Sequence, residues 1–80
     1  MTTMNSEQLS YLDQLMLQAP GDWPEALKVT ATRACNEVQA SYSVIRAIVA
    51  AWILDGGNRV ITMDEIARLQ PEADLRPSMS

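Results

Sequence analysis

The sequence predicts an all-α domain of three helices, with a long central second helix and a helical bundle completed by oligomerisation. Three observations carry this. Leu27, Ala31, Ala34, Val38, Ser41, Ile45, Ile48 and Trp52 recur in a 4-3-4-3 rhythm. That spacing holds small and apolar side chains on one helix face, the seam along which helices pack lengthwise. No glycine or proline interrupts the chain between Pro24 and Gly56, and these are the residues that most often end a helix. Helix-start signatures also recur at Asn5, Asp22 and Thr62.

The first helix starts at Asn5 or Ser6, with Gln8 three residues after Asn5 in capping-box position. Leu9, Leu12, Met16 and Ala19 form its apolar stripe, with Leu15 beside it, and Pro20-Gly21 ends it. The second helix starts at Asp22-Trp23-Pro24-Glu25. Asp22 is its expected N-cap, Glu25 closes the box, and Pro24 occupies the first turn, where a missing N–H costs nothing. A helix of about thirty residues from there would be roughly 48 Å long. That exceeds a compact monomer of this size, whose radius of gyration should be about 12 Å. The alternative is a break near Ser41-Tyr42-Ser43, where serine can bond its own backbone. The stripe keeps its phase across the serines, which favours continuity.

Asp55-Gly56-Gly57-Asn58 reads as a helix stop and tight turn. Arg59-Val60-Ile61 reads as a short extended piece. Thr62-Met63-Asp64-Glu65 is a capping box opening the third helix, whose apolar side is Met63, Ile66, Ala67 and Leu69 and whose end is Gln70-Pro71. The chain is thus one small helical domain over residues 1–80, with flexible termini at about 1–5 and 71–80.

A chain of 80 residues buries only about 60% of its unfolded surface, so its core is marginal. The usual supports are disulfides, metals or oligomerisation. Cys35 is the single cysteine and there is no histidine, which removes an intrachain disulfide and a zinc site. Oligomerisation is the common route that remains. The stretch Val44–Leu54 is apolar nearly all round, and such a helix must be surrounded. The residues expected at an oligomer interface are Val38, Ile45, Ile48, Val49 and Trp52. Arg46, inside that stretch, must reach solvent or a carboxylate, with Glu37 of a second chain as one candidate.

The chain carries 10 acidic and 6 basic residues, a balance that opposes non-specific nucleic-acid binding. Glu7, Asp13, Asp22 and Glu25 fall in the first 25 residues, which contain no lysine or arginine. Together with Tyr11 and Trp23, types common at contact hot spots, they form the expected partner-binding set. The partner is then another protein with a basic surface. Trp23 has a local reading too, as a staple fixing the chain before Pro24.

Without histidine, a nucleophile–base pair or a glycine-rich phosphate loop, nothing points to an enzyme, a cofactor or a metal. The most apolar stretch is too short for the ~20 residues of a membrane span. Residues 1–6 lack a signal-peptide pattern, and the lone cysteine suits the cytoplasm. The expected function is stoichiometric: a regulator, inhibitor or adaptor, of a size and character common among virus-encoded and plasmid-encoded inhibitors. A structural subunit of a larger assembly is a further reading. Thr62, two residues, then Glu65-Ile66-Ala67 resembles the first helix of many helix-turn-helix DNA-binding domains. That resemblance implies a dimeric transcription regulator using Lys28, Arg33, Arg59 and Arg68. The following segment, Gln70 to Pro77, is net acidic, proline-bounded and too short for a recognition helix.

Overall fold

Four α-helices are formed in the computed structural model, which describes residues 4–39 and 41–69. They are α1 (Ser6–Leu17), α2 (Glu25–Glu37), α3 (Tyr42–Leu54) and α4 (Met63–Leu69), with a 3-10 turn at Pro20–Asp22 between the first two. No strand is present among the described residues. The fold class is all-α as expected, but the long second helix is two helices. The molecule measures 31 Å along its greatest axis and could not hold a straight helix of about 48 Å.

α2 ends at Glu37 and α3 begins at Tyr42. Val38 is extended, with φ −132° and ψ 159°, and so is Ser41, with φ −107° and ψ 167°. Ser41 Oγ accepts the Val44 N–H at 3.3 Å. The serine therefore starts a new helix by capping it. Folding the chain back at this point lets α2 pack on α3. A partner chain is no longer needed to cover a protruding rod.

α3 is the hub, packed against α1, α2 and α4. Its residues Ala47 to Ile53 are all buried. Leu12 and Leu15 come to it from α1, Leu27, Ala31 and Ala34 from α2, and Ile66 from α4. Ala47, Ala50 and Ala51 keep α3 slim, so its neighbours approach closely. The all-round apolar character read from the sequence is thus satisfied within one chain. Ile48, Val49 and Trp52, expected at an interface between chains, are enclosed by the chain's own helices. Val38 and Ile45 are only half-buried.

Local signals set the ends. Asn5 and Gln8 form the expected reciprocal box at α1: Asn5 Oδ1 accepts the Gln8 N–H at 2.8 Å and Gln8 Oε1 accepts the Asn5 N–H at 2.9 Å. Met4 is buried in the core, so Met4 and Asn5 belong to the fold and are not frayed; residues 1–3 and the expected tail at 71–80 lie outside the described residues. α1 ends at Leu17, before Pro20-Gly21. Asp22 does not cap α2. It sits in the 3-10 turn, Pro24 takes the cap position, and no side chain caps there. The physical reason is Trp23, which turns inward and donates its Nε1–H to the Leu15 carbonyl at 2.7 Å. The same carbonyl also accepts the Gln18 N–H at 3.1 Å, so both bonds close the end of α1.

The α3 stop is as expected. The Gly57 N–H reaches the Trp52 carbonyl and the Gly56 N–H the Ile53 carbonyl, each at 3.0 Å. This is the Schellman pattern. Gly56 and Gly57 have φ of 117° and 71°, values that side-chain-bearing residues avoid. The Thr62–Glu65 box opens α4: Thr62 Oγ1 accepts the Glu65 N–H at 3.3 Å and Glu65 Oε2 accepts the Thr62 N–H at 3.0 Å. Ile66 is buried and Ala67 exposed. The end expected at Gln70-Pro71 lies outside the described residues.

Two substitutions separate this architecture from a continuous helix. Ser41→Ala should destabilise by about 1 kcal/mol, the cost of an N-cap. Tyr42→Pro should be tolerated, because it falls at the first helical position behind an extended residue. In a continuous helix the alanine would be neutral and the proline would cost about 3 kcal/mol. Urea unfolding of the two variants decides between them.

Candidate functional site

α1 carries half of the side chains expected to meet a partner. Glu7, Tyr11 and Asp13 all reach solvent, with Tyr11 37% exposed. They do not form one patch. Glu7 and Tyr11 are four residues apart and share a shoulder of the helix, whereas Asp13 stands about 200° round from Tyr11. Asp22 is exposed in the 3-10 turn, and Glu25 is exposed at the start of α2, 3.5 Å from Lys28 Nζ. Trp23 is buried and hydrogen-bonded, which makes it the local staple and removes it from the contact surface.

Asp13 faces α3 instead. Its Oδ1 lies 3.9 Å from Arg46 Nη2. Arg46 therefore meets a carboxylate of its own chain on α1, where Glu37 of a second chain was one expectation. One turn from each partner of this pair stands a large apolar side chain in solvent: Leu17, 88% exposed, and Tyr42, 68% exposed. Asp13 with Leu17, and Tyr42 with Arg46, are i,i+4 pairs, so each couple shares one face of its helix. Sequence reasoning missed Leu17 and Tyr42. The signal was their position off every apolar stripe, which marks a hydrophobic residue with no core to enter.

A second polar cluster closes the α3–α4 connection. Arg59 Nη2 and Nε lie 3.0 Å from Asp55 Oδ1 and Oδ2, and Nη2 is also 3.1 Å from Glu65 Oε1. The Arg59 carbonyl accepts the Trp52 Nε1–H at 2.9 Å. Next to it, buried Thr30 donates to the Ala26 carbonyl at 2.8 Å and accepts the Ile61 N–H at 3.1 Å. Leaving that N–H without a partner would cost about 1–3 kcal/mol. These contacts hold the connection down, and they bind Arg59 to two carboxylates. Of the basic surface a DNA-binding reading would need, Arg59 and Lys28 both stand beside acids.

The hydrogen bond to Glu65 is the leading reason that the Arg59 guanidinium titrates above its usual range. The Glu65 carboxyl is held below its usual range, first by the Thr62 N–H and then by Arg59. Among the described residues, no group of three or more Cys, Asp or Glu side chains could hold a metal ion. No helix there is long and apolar enough to cross a membrane. Cys35 is half-buried and free.

No protein-family model matches this chain, and neither the curated proteins nor the solved structures contain a match to it.

The Glu65 linkage gives a measurable pH dependence. An unfolded glutamate titrates near about 4.3, and the folded carboxyl titrates lower, so its contribution is complete above that value. It is lost as pH falls through the folded pKa. The stability gap between the wild type and Glu65→Gln should therefore be constant above about pH 5 and shrink below about pH 4. Thermal unfolding across that range measures it, and a gap that grows on acidification would contradict the assignment.

Proposed function

We propose that the protein acts stoichiometrically, as a self-associating helical protein that binds another protein through the acidic surface of α1 and the turn after it. The observation that carries this reading is the acidic stretch of residues 4–25, which contains no lysine or arginine. Glu7 and Asp22 reach solvent there, Asp13 and Glu25 stand beside Arg46 and Lys28, and Tyr11 is exposed one turn from Glu7. A surface of one sign attracts its opposite, speeds association and rejects like-charged partners. An exposed tyrosine adds a contact anchor. The partner surface is basic, and the role is that of a regulator, inhibitor or adaptor.

The test is capture of a defined, stoichiometric partner from the source organism, followed by measurement with purified components. Changing Glu7, Asp22 and Glu25 to lysine should weaken that binding by about tenfold or more, chiefly through slower association. The wild-type complex should loosen as salt rises. A triple variant that binds as well as the wild type would overturn the reading. So would tight binding of duplex DNA by the wild type at about 150 mM salt, where a chain of this charge has little drive toward phosphate.

A further inference from the structure

The joint between α2 and α3 keeps the means of closing into helix. The Val38 N–H still bonds the Ala34 carbonyl at 3.0 Å, and the Ser41 carbonyl already accepts the Ile45 N–H at 2.9 Å. Both are the i to i−4 bonds of an α-helix. Extended backbone at Val38 and at Ser41, and the Ser41 cap on Val44, part the two runs. No glycine or proline stands between Pro24 and Gly56, so no residue type forbids helix across the joint. The seam also stays in phase. At about 100° per residue, Ala34 and Ile45 fall about 20° apart, and Leu27 and Trp52 about the same. Two helices folded back on each other do not require this, because each can turn any side to the other. A single straight helix does. Val38 and Ile45, the apolar seam members beside the joint, are only half-buried in the closed fold.

We infer that the self-associated form is a domain-swapped dimer, in which α2 and α3 of each copy join into one helix. The inference rests on the self-association proposed above and gives its route. The joint divides the chain into α1 with α2 on one side and α3 with α4 on the other. α1 and α2 pack on α3, and Thr30 of α2 bonds the Ile61 N–H before α4. In the swap these same contacts form between copies, with α1 and α2 of each lying on α3 of the other. Every buried surface therefore takes the occupant that the closed chain already shows. No new face is required, which makes domain exchange a low-cost route to a dimer. The joined helix spans residues 25–54, roughly 45 Å, a rod that one chain leaves bare and two chains cover. The two joints meet near the two-fold axis, where Val38 and Ile45 gain the cover that the closed fold withholds. The core around α3 is the same in both forms.

Substitutions at the joint weigh one form against the other on the full chain. Wild type refolded at submillimolar concentration should contain a dimer by light scattering. Tyr42→Pro should abolish it. Proline suits the first turn of α3 in the closed chain, but it disfavours the interior of a joined helix by roughly a hundredfold per chain. Tyr42→Ala removes the same ring and should keep the dimer. Ser41→Ala removes a cap that the closed chain alone uses. It should raise the dimerisation constant about twenty-fivefold, about fivefold for each copy, and it decides the matter if the proline variant fails to fold. A monomeric wild type would overturn self-association as well as the swap. A dimer that survives Tyr42→Pro, or that Tyr42→Ala also abolishes, would overturn the swap alone. So would a Ser41→Ala variant with no more dimer than the wild type.

Discussion

Seven consecutive residues of α3, Ala47 to Ile53, must be kept from water on every side, and the rest of the fold follows from how a short chain does this. An amphipathic helix needs one cover. A helix that is apolar all round needs several. The chain supplies three, α1, α2 and α4, and each contributes a narrow apolar stripe. Alanines at 47, 50 and 51 reduce the girth of α3, so three thin covers are enough to close over it.

Covers must also be held in place, and the polar bonds of the connections do this. Both tryptophans bury their rings and spend their one N–H on a backbone carbonyl: Trp23 on Leu15, Trp52 on Arg59. Thr30 ties α2 to the strip before α4 through the Ile61 N–H. Arg59, between Asp55 and Glu65, links the end of α3 to the first turn of α4. Single exposed ion pairs contribute little. Here the guanidinium is shared by two carboxylates, one of them also a helix cap, and the effect is mainly to fix the path of the connection.

The features that were legible in the sequence are those written locally. The Asn5–Gln8 and Thr62–Glu65 boxes, the glycine stop after α3 and the apolar faces of α1 and α4 were readable from residue type and spacing, except that Ala19 and Ala67, expected on those faces, are exposed. The helix break was not, because α2 and α3 both turn their stripes to the same core. The 4-3 rhythm therefore runs on across a gap where there is no helix. The fading was there to see: Val38, Ser41 and Ile45, the middle of the seam, are the members least buried. Ser41 could equally weaken a helix or start one, and only the fold-back selects the second. The misplaced Asp22 cap has a similar origin. A cap and a buried tryptophan competed for the same turn, and burial of a large aromatic outweighs one N-cap bond of about 1 kcal/mol. At the candidate contact surface the acids were readable, whereas their division between two shoulders of α1 and the pairing of Asp13 with Arg46 are tertiary facts.

The central claim is that a single chain completes the core around α3. Amide hydrogen exchange of the backbone from Ala47 to Ile53 tests it most directly, since the slowest amides report global opening. These amides should be the best protected in the molecule, with protection unchanged when the protein is diluted far below any association. Protection that falls with dilution would mean that a second chain completes the core, and would contradict the account.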